Sequence, residues 1–85
     1  MPKGHMKENI VMYGADWCGD CRRSKAFLES SGVPFTYVDL EERPDRMQDV
    51  IARNDGMRSI PVIVFDDGSH LTEPSNDQLA AKLGL

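Results

Sequence analysis

Short runs of β-branched and aromatic residues alternate along this chain with segments of helical pattern, and that alternation leaves few folds open. Residues 9–13, NIVMY, read as a short buried strand, and residues 35–40, FTYVDL, as a second. Between them a helix is expected from Gly19 to Ser30, stopping at the Ser-Ser-Gly of residues 30–32. Pro44 suits a first helical turn. Met47, Val50 and Ile51 follow at i, i+3 and i+4 on one helix face, and Gly56 ends that segment. Residues 62–65, VIVF, form a continuous β-branched run expected at the centre of a sheet. The turn DDGS at 66–69 leads into a short strand at His70–Thr72. Ser75 and Gln78 then have the spacing of a capping box, with Leu79 placed to staple onto Pro74. Leu79, Ala80 and Leu83 mark the last helix, which Gly84 closes.

The order β-α-β-α-β-β-α defines an α/β fold. Strands joined through a helix pair in parallel with a right-handed crossover, and strands joined by a tight turn form an antiparallel hairpin. One four-stranded mixed sheet flanked by three helices satisfies both rules. At 85 residues the chain is sized for a single domain, and 40% hydrophobic with 28% charged residues suits a globular one. Residues 4–6, Gly-His-Met, have the look of a cloning remnant, so residues 1–6 are set aside as a tag remnant or disordered start and the domain is assigned to 7–85. A net charge of −4 with no basic stripe argues against nucleic acid. No apolar run approaches the roughly 20 residues that span a bilayer. No apolar leader segment is visible, so a cytoplasmic, reducing compartment is expected.

In that compartment Cys18 and Cys21, the two cysteines of the chain, point to redox chemistry or metal binding rather than a lasting staple. Cys18 falls next to the predicted helix N-terminus, where free amides and the positive end of the helix dipole favour thiolate over thiol. Gly19 keeps the turn open, and Cys21, one turn in, is placed to reach back. The pair supplies a nucleophile and a resolving thiol. Asp20 between them disfavours the thiolate, while Arg22 and Arg23 favour it. A structural zinc site needs two further ligands, and His5 and His70 are the histidines on offer, without ligand spacing. An iron–sulfur cluster shared by two chains needs one cysteine from each and remains an alternative from another class.

The WCGDC of residues 17–21, followed by Ser59-Ile60-Pro61, resembles the glutaredoxin branch of the thioredoxin fold. Thioredoxin itself fits less well, carrying Gly-Pro where this chain has Gly19-Asp20. Within the branch, VDLE at 38–41, NDGMRSIPVIVFDDGSHLTEPS at 54–75 and the short closing helix are similar to the mycoredoxins, actinobacterial glutaredoxin-like enzymes. That resemblance implies a cis Pro61 beside the nucleophilic cysteine, with the backbone of Ile60 turned outward to pair with an extended substrate. It also implies reduction of mixed disulfides between proteins and mycothiol, or glutathione, as co-substrate thiol. No bound cofactor is needed, and electrons reach the small thiol from an NADPH-dependent reductase. The expected partners are disulfide-bearing or S-thiolated proteins, and a monomer is expected. Ordinary glutaredoxins carry a Gly-Gly pair and an acidic residue where this chain has TEPS at 72–75. Mycoredoxins usually carry an aromatic residue at the position of Asp20. A dithiol reductase fed by glutathione or a thioredoxin reductase is the alternative.

Trp17 is either a lip of the substrate groove or packing over the helix start, and Tyr13 reads as packing. Arg58 and Ser59, just before Ile60 and Pro61, are placed to meet substrate, with Arg58 suited to a carboxylate. Ser75 caps its own helix, whose amides are also suited to a ligand. Asp39, Glu41, Glu42, Asp45 and Asp49 read as a solvated acidic face, and His70 as exposed.

Overall fold

The computed structural model describes residues 10–85; Asn9 of the first expected strand and the segment 1–6 lie outside the described residues. Strand β1 (Val11–Gly14) leads through a loop into helix α1 (Gly19–Ser30), then strand β2 (Thr36–Asp39). Helix α2 (Met47–Arg53), strands β3 (Val62–Val64) and β4 (His70–Thr72), and helix α3 (Asn76–Leu83) complete the order expected from the sequence. The strands lie side by side as β2-β1-β3-β4. β1 pairs in parallel with β2, Tyr13 facing Val38, and antiparallel with β3, Tyr13 facing Val62. β3 and β4 form the antiparallel hairpin.

Strand periodicity divides the core in two. Ile10, Met12, Ile63 and Phe65 turn to one face, where they pack with Cys21 and Leu28 of α1 and Leu79 and Leu83 of α3. Tyr13, Val38, Leu40 and Val62 turn to the other, against Val50 of α2. The cysteine pair is thus anchored in the α1–α3 layer.

The boundaries of α1 match the sequence reading, whereas the second helix differs. Pro44–Arg46 wind as a 3₁₀ turn before α2 begins at Met47. The helix ends with Asn54 as its cap, and Asp55 and Gly56 both take positive φ, 53° and 90°, as the chain reverses. On α3 the capping box forms in full: Gln78 N–H donates to Ser75 Oγ at 3.1 Å and Ser75 N–H to Gln78 Oε1 at 2.8 Å. Pro74 and Leu79 are both fully buried beneath it. Removing the cap oxygen with Ser75→Ala is expected to destabilise the fold by about 0.5–2 kcal/mol, read as a shift of the urea midpoint with unchanged slope.

Two expectations for exposed residues are corrected. Asp49, assigned to a solvated face, accepts from Arg46 Nε at 2.7 Å and from the Tyr13 hydroxyl at 3.1 Å, and Arg46 Nη2 donates to that same hydroxyl at 3.1 Å. The Arg46 guanidinium beside Asp49 holds its carboxyl below the ordinary range. Tyr13 therefore ties β1 to α2. His70 is half-buried, its Nδ1 3.4 Å from Arg53 Nη1, which also donates to Gly68 O at 2.8 Å.

Candidate active site

Helix α1 begins where β1 leaves the sheet, and Cys18 is its N-cap. Its φ of −89° and ψ of 116° are extended, so its side chain folds back over the first turn and Sγ accepts from Cys21 N–H at 3.2 Å. A sulfur thus fills the place that a serine or aspartate oxygen takes in an ordinary cap. Negative charge on Cys18 Sγ would sit on an amide and on the positive end of a 12-residue helix. Cys18 is half-buried, open to a reaction partner, while Cys21 is only 1% exposed within the core cluster.

The two sulfurs are therefore unequal. Burial, and next the hydrogen bond with Cys18, push the Cys21 thiol up to about 12. It stays protonated at neutral pH, as a resolving thiol must until it is called on. The Ala15 backbone partly counters that rise by hydrogen-bonding to it.

Strand β3 and its approach supply the other wall. The Ile60–Pro61 peptide bond is cis, as the resemblance implied, and Pro61 is fully buried. Asn54 braces this segment: its Nδ2 donates to Ser59 O at 3.0 Å, while its Oδ1 accepts from Thr72 Oγ1 at 2.7 Å. Glu73 N–H takes the Pro61 carbonyl at 2.8 Å. Ile60 and Cys18, both half-buried, pack against the same core cluster that contains Cys21. Asn54 had no role legible in the sequence, because a half-buried amide that bridges the loop at Ser59 to the end of β4 is visible only in three dimensions.

The remaining candidates are placed as follows. Trp17 is 68% exposed on the loop just before Cys18, which leaves it projecting rather than packed. Arg58 is exposed and, among the described residues, forms no ion pair or side-chain hydrogen bond. Arg22 Nη1 donates to Asp16 O at 2.7 Å, tying α1 to the active-site loop. Asp20 pairs with Arg23 at 3.3 Å. Arg23 also donates to Asn76 Oδ1 at 3.0 Å and Pro74 O at 3.2 Å, so it clamps the start of α1 to the start of α3. Of the opposed charges read from the sequence, Asp20 thus pairs with Arg23, while Arg22 is held by a backbone carbonyl. No group of three His, Cys, Asp or Glu side chains able to hold a metal comes together among the described residues.

Two further residues at this site were not singled out from the sequence. A Cβ placed on Gly14 would lie 3.1 Å from both Cβ and Sγ of Cys21 and 3.3 Å from the hydroxyl of Tyr37. The missing side chain of Gly14 is what lets the phenol of β2 and the thiol of α1 approach across β1. A glycine inside a strand is the signal that marks such an approach.

A dithiol of unequal sulfurs at the head of the first helix, in a mixed four-stranded sheet, is the equipment of a thiol–disulfide oxidoreductase. Residues 10–71 match the glutaredoxin family model. A Mycobacterium tuberculosis protein named as a glutaredoxin is 38% identical over 74 residues, covering 87% of this chain and 88% of that protein. Mycoredoxin 1 of Corynebacterium glutamicum is 31% identical over 75 residues, covering 88% and 92%. Among solved structures, the methanoredoxin of Methanosarcina acetivorans superposes with a TM-score of 0.80 at 28% identity, over 93% of this chain and 87% of that one. The chain belongs to the glutaredoxin family, and it is a glutaredoxin-like disulfide oxidoreductase. Among the described residues no helix is long and apolar enough to cross a membrane.

Proposed function

We propose that the chain reduces mixed disulfides between proteins and a low-molecular-weight thiol, with mycothiol the preferred thiol, Cys18 the nucleophile and Cys21 the resolving thiol. The observation that carries the division of labour is the Cys21 N–H bond to Cys18 Sγ, with Cys18 half-exposed and Cys21 buried. Cys18 thiolate attacks the small-thiol sulfur of the mixed disulfide. The protein–sulfur bond breaks, the protein thiolate leaves and takes a proton from water, and the small thiol is now bonded to Cys18. Two routes then regenerate the enzyme. A second small thiol attacks the adduct, releasing Cys18 and a small-thiol disulfide. Alternatively, Cys21 gives up its proton and attacks Cys18 Sγ, expelling the small thiol and closing an intramolecular disulfide.

The preference for mycothiol is supported by the relative named as a mycoredoxin and by the start of α3. There Ser75 and Gln78 satisfy each other's amides, in the place where ordinary glutaredoxins carry their Gly-Gly pair and acidic residue. Ile60, whose N–H and C=O take no part in the hydrogen bonds found among the described residues, is the edge on which an extended protein segment would pair. Ser59, Pro61, Trp17 and Arg58 frame that approach, with Arg58 free to meet a carboxylate. Asp20 and Arg22 set the charge around Cys18. No cofactor is bound in this cycle, one chain supplies every residue it uses, and a reducing cytoplasm suits it.

The test uses a Cys21→Ser variant carrying a small thiol on Cys18. Its release by mycothiol is expected to be faster than release of a glutathione adduct by glutathione. Equal or faster turnover with glutathione would return the protein to the general glutaredoxins, and release by neither would make it a dithiol reductase.

A further inference from the structure

The segment that leads into β3 is held at few points. Asp55, Gly56, Met57 and Arg58 are all exposed, and the Pro61 carbonyl is tied down by Glu73 N–H at 2.8 Å. Between them, among the described residues, a single hydrogen bond reaches the backbone of residues 58–60: Asn54 Nδ2 donates to Ser59 O at 3.0 Å. That carbonyl belongs to the same peptide group as the Ile60 N–H. The group is trans and planar, so its oxygen and its N–H point in opposite directions. Whatever grips the Ser59 oxygen therefore aims the Ile60 N–H to the far side, where no group among the described residues takes it.

Asn54 can grip that oxygen because the two ends of its amide are not interchangeable. A carbonyl oxygen only accepts, so the end of Asn54 that faces Ser59 O is the NH2. The other end, Oδ1, accepts from Thr72 Oγ1 at 2.7 Å, which fixes the amide plane. Thr72 lies opposite Val62 at the end of β4, and the next residue, Glu73, supplies the N–H on Pro61 O. The end of β4 thus holds the chain on both sides of Ile60, once through Asn54 and once directly. Asn54 keeps its own place through its backbone as the cap of α2: its N–H donates to Val50 O and its carbonyl accepts from Met57 N–H, each at 3.0 Å. The side chain has no part in those bonds.

We propose that Asn54, oriented by Thr72, is the positioning residue that sets the Ile60 N–H for the backbone of an extended protein substrate. This rests on Ile60 as the pairing edge proposed above. A small disulfide without a peptide backbone makes no use of that edge, so the Asn54–Thr72 pair favours disulfides borne on protein segments.

The test compares two cysteine-centred peptides, each carrying mycothiol in mixed disulfide, with mycothiol as the reductant. They differ only in methylation of the cysteine nitrogen and the backbone nitrogen that follows it, which removes donors and holds two backbones apart. Wild type is expected to favour the unmodified peptide by about tenfold in kcat/KM, the upper range for the net effect of one hydrogen bond. In Asn54→Ala and in Thr72→Val that ratio should fall close to one, through a raised KM for the unmodified peptide with kcat held. Thr72→Ser keeps the hydroxyl and should keep the ratio. General loosening of the fold would lower turnover of both peptides together and leave the ratio where it was. A wild-type ratio near one overturns pairing at Ile60 and the positioning role with it. A wild-type preference that survives undiminished in both Asn54→Ala and Thr72→Val overturns the positioning role alone.

Discussion

Cys18→Ser is expected to bring exchange down to the uncatalysed background with every disulfide substrate. The serine hydroxyl will still cap α1, because oxygen accepts from the residue 21 amide at least as well as sulfur does, so the fold should survive. What disappears is the attacking sulfur: an alkoxide is not available near neutral pH, and Cys21, buried and held as a thiol, has no access to a protein-sized partner. Cys21→Ser is expected to behave differently, keeping the route in which a second small thiol regenerates Cys18 and losing intramolecular resolution. Turnover of a small-thiol mixed disulfide, followed through coupled oxidation of the reducing thiol, separates the two variants. Activity surviving in Cys18→Ser would show that the buried thiol, rather than the capping one, begins the reaction.

The second large effect is structural and falls on Gly14→Ala. The strand carrying it is central, paired with β2 on one side and β3 on the other, so it has little freedom to move aside. Its methyl would lie 3.1 Å from two atoms of Cys21 and 3.3 Å from the Tyr37 hydroxyl. The phenol end swings away readily, but Cβ of Cys21 is fixed to the backbone of α1. The first turn of that helix must then shift or the packing must strain, at about 1–3 kcal/mol for overpacking of this kind. At roughly 4–8 °C per kcal/mol for a domain of this size, melting of the reduced protein should fall by several degrees or more, followed by circular dichroism. An unchanged melting temperature would mean that Cys21 and Tyr37 do not close on Gly14 as described.

The elements whose cause is local were legible in the sequence. Strong β-branched runs, a glycine at the end of α3 and a Ser–Gln pair three residues apart each act within a few residues, so the order of elements along the chain, the limits of α1 and the capping box follow from them. The cysteine pair was equally plain, because capping by Cys18 depends only on the four residues that make the helix start. The features that escaped are nonlocal. Tyr37 lies 23 positions after Gly14, and only the parallel register that sets Gly14 beside Asp39 brings its strand within reach of Cys21. Likewise, Asp49 resembled its acidic neighbours until Arg46 and Tyr13 closed around it. The 3₁₀ turn at Pro44–Arg46 escaped because proline favours either kind of helical start.

The most direct test of the account is to trap the first covalent intermediate. Cys21→Ser protein, mixed with a peptide carrying a small thiol in mixed disulfide, should gain the mass of one small thiol, and fragmentation should place it on Cys18 with the free peptide thiol released. An adduct of the peptide itself on Cys18 would reverse the direction of attack. No adduct under conditions where the wild type turns over would contradict Cys18 as the nucleophile.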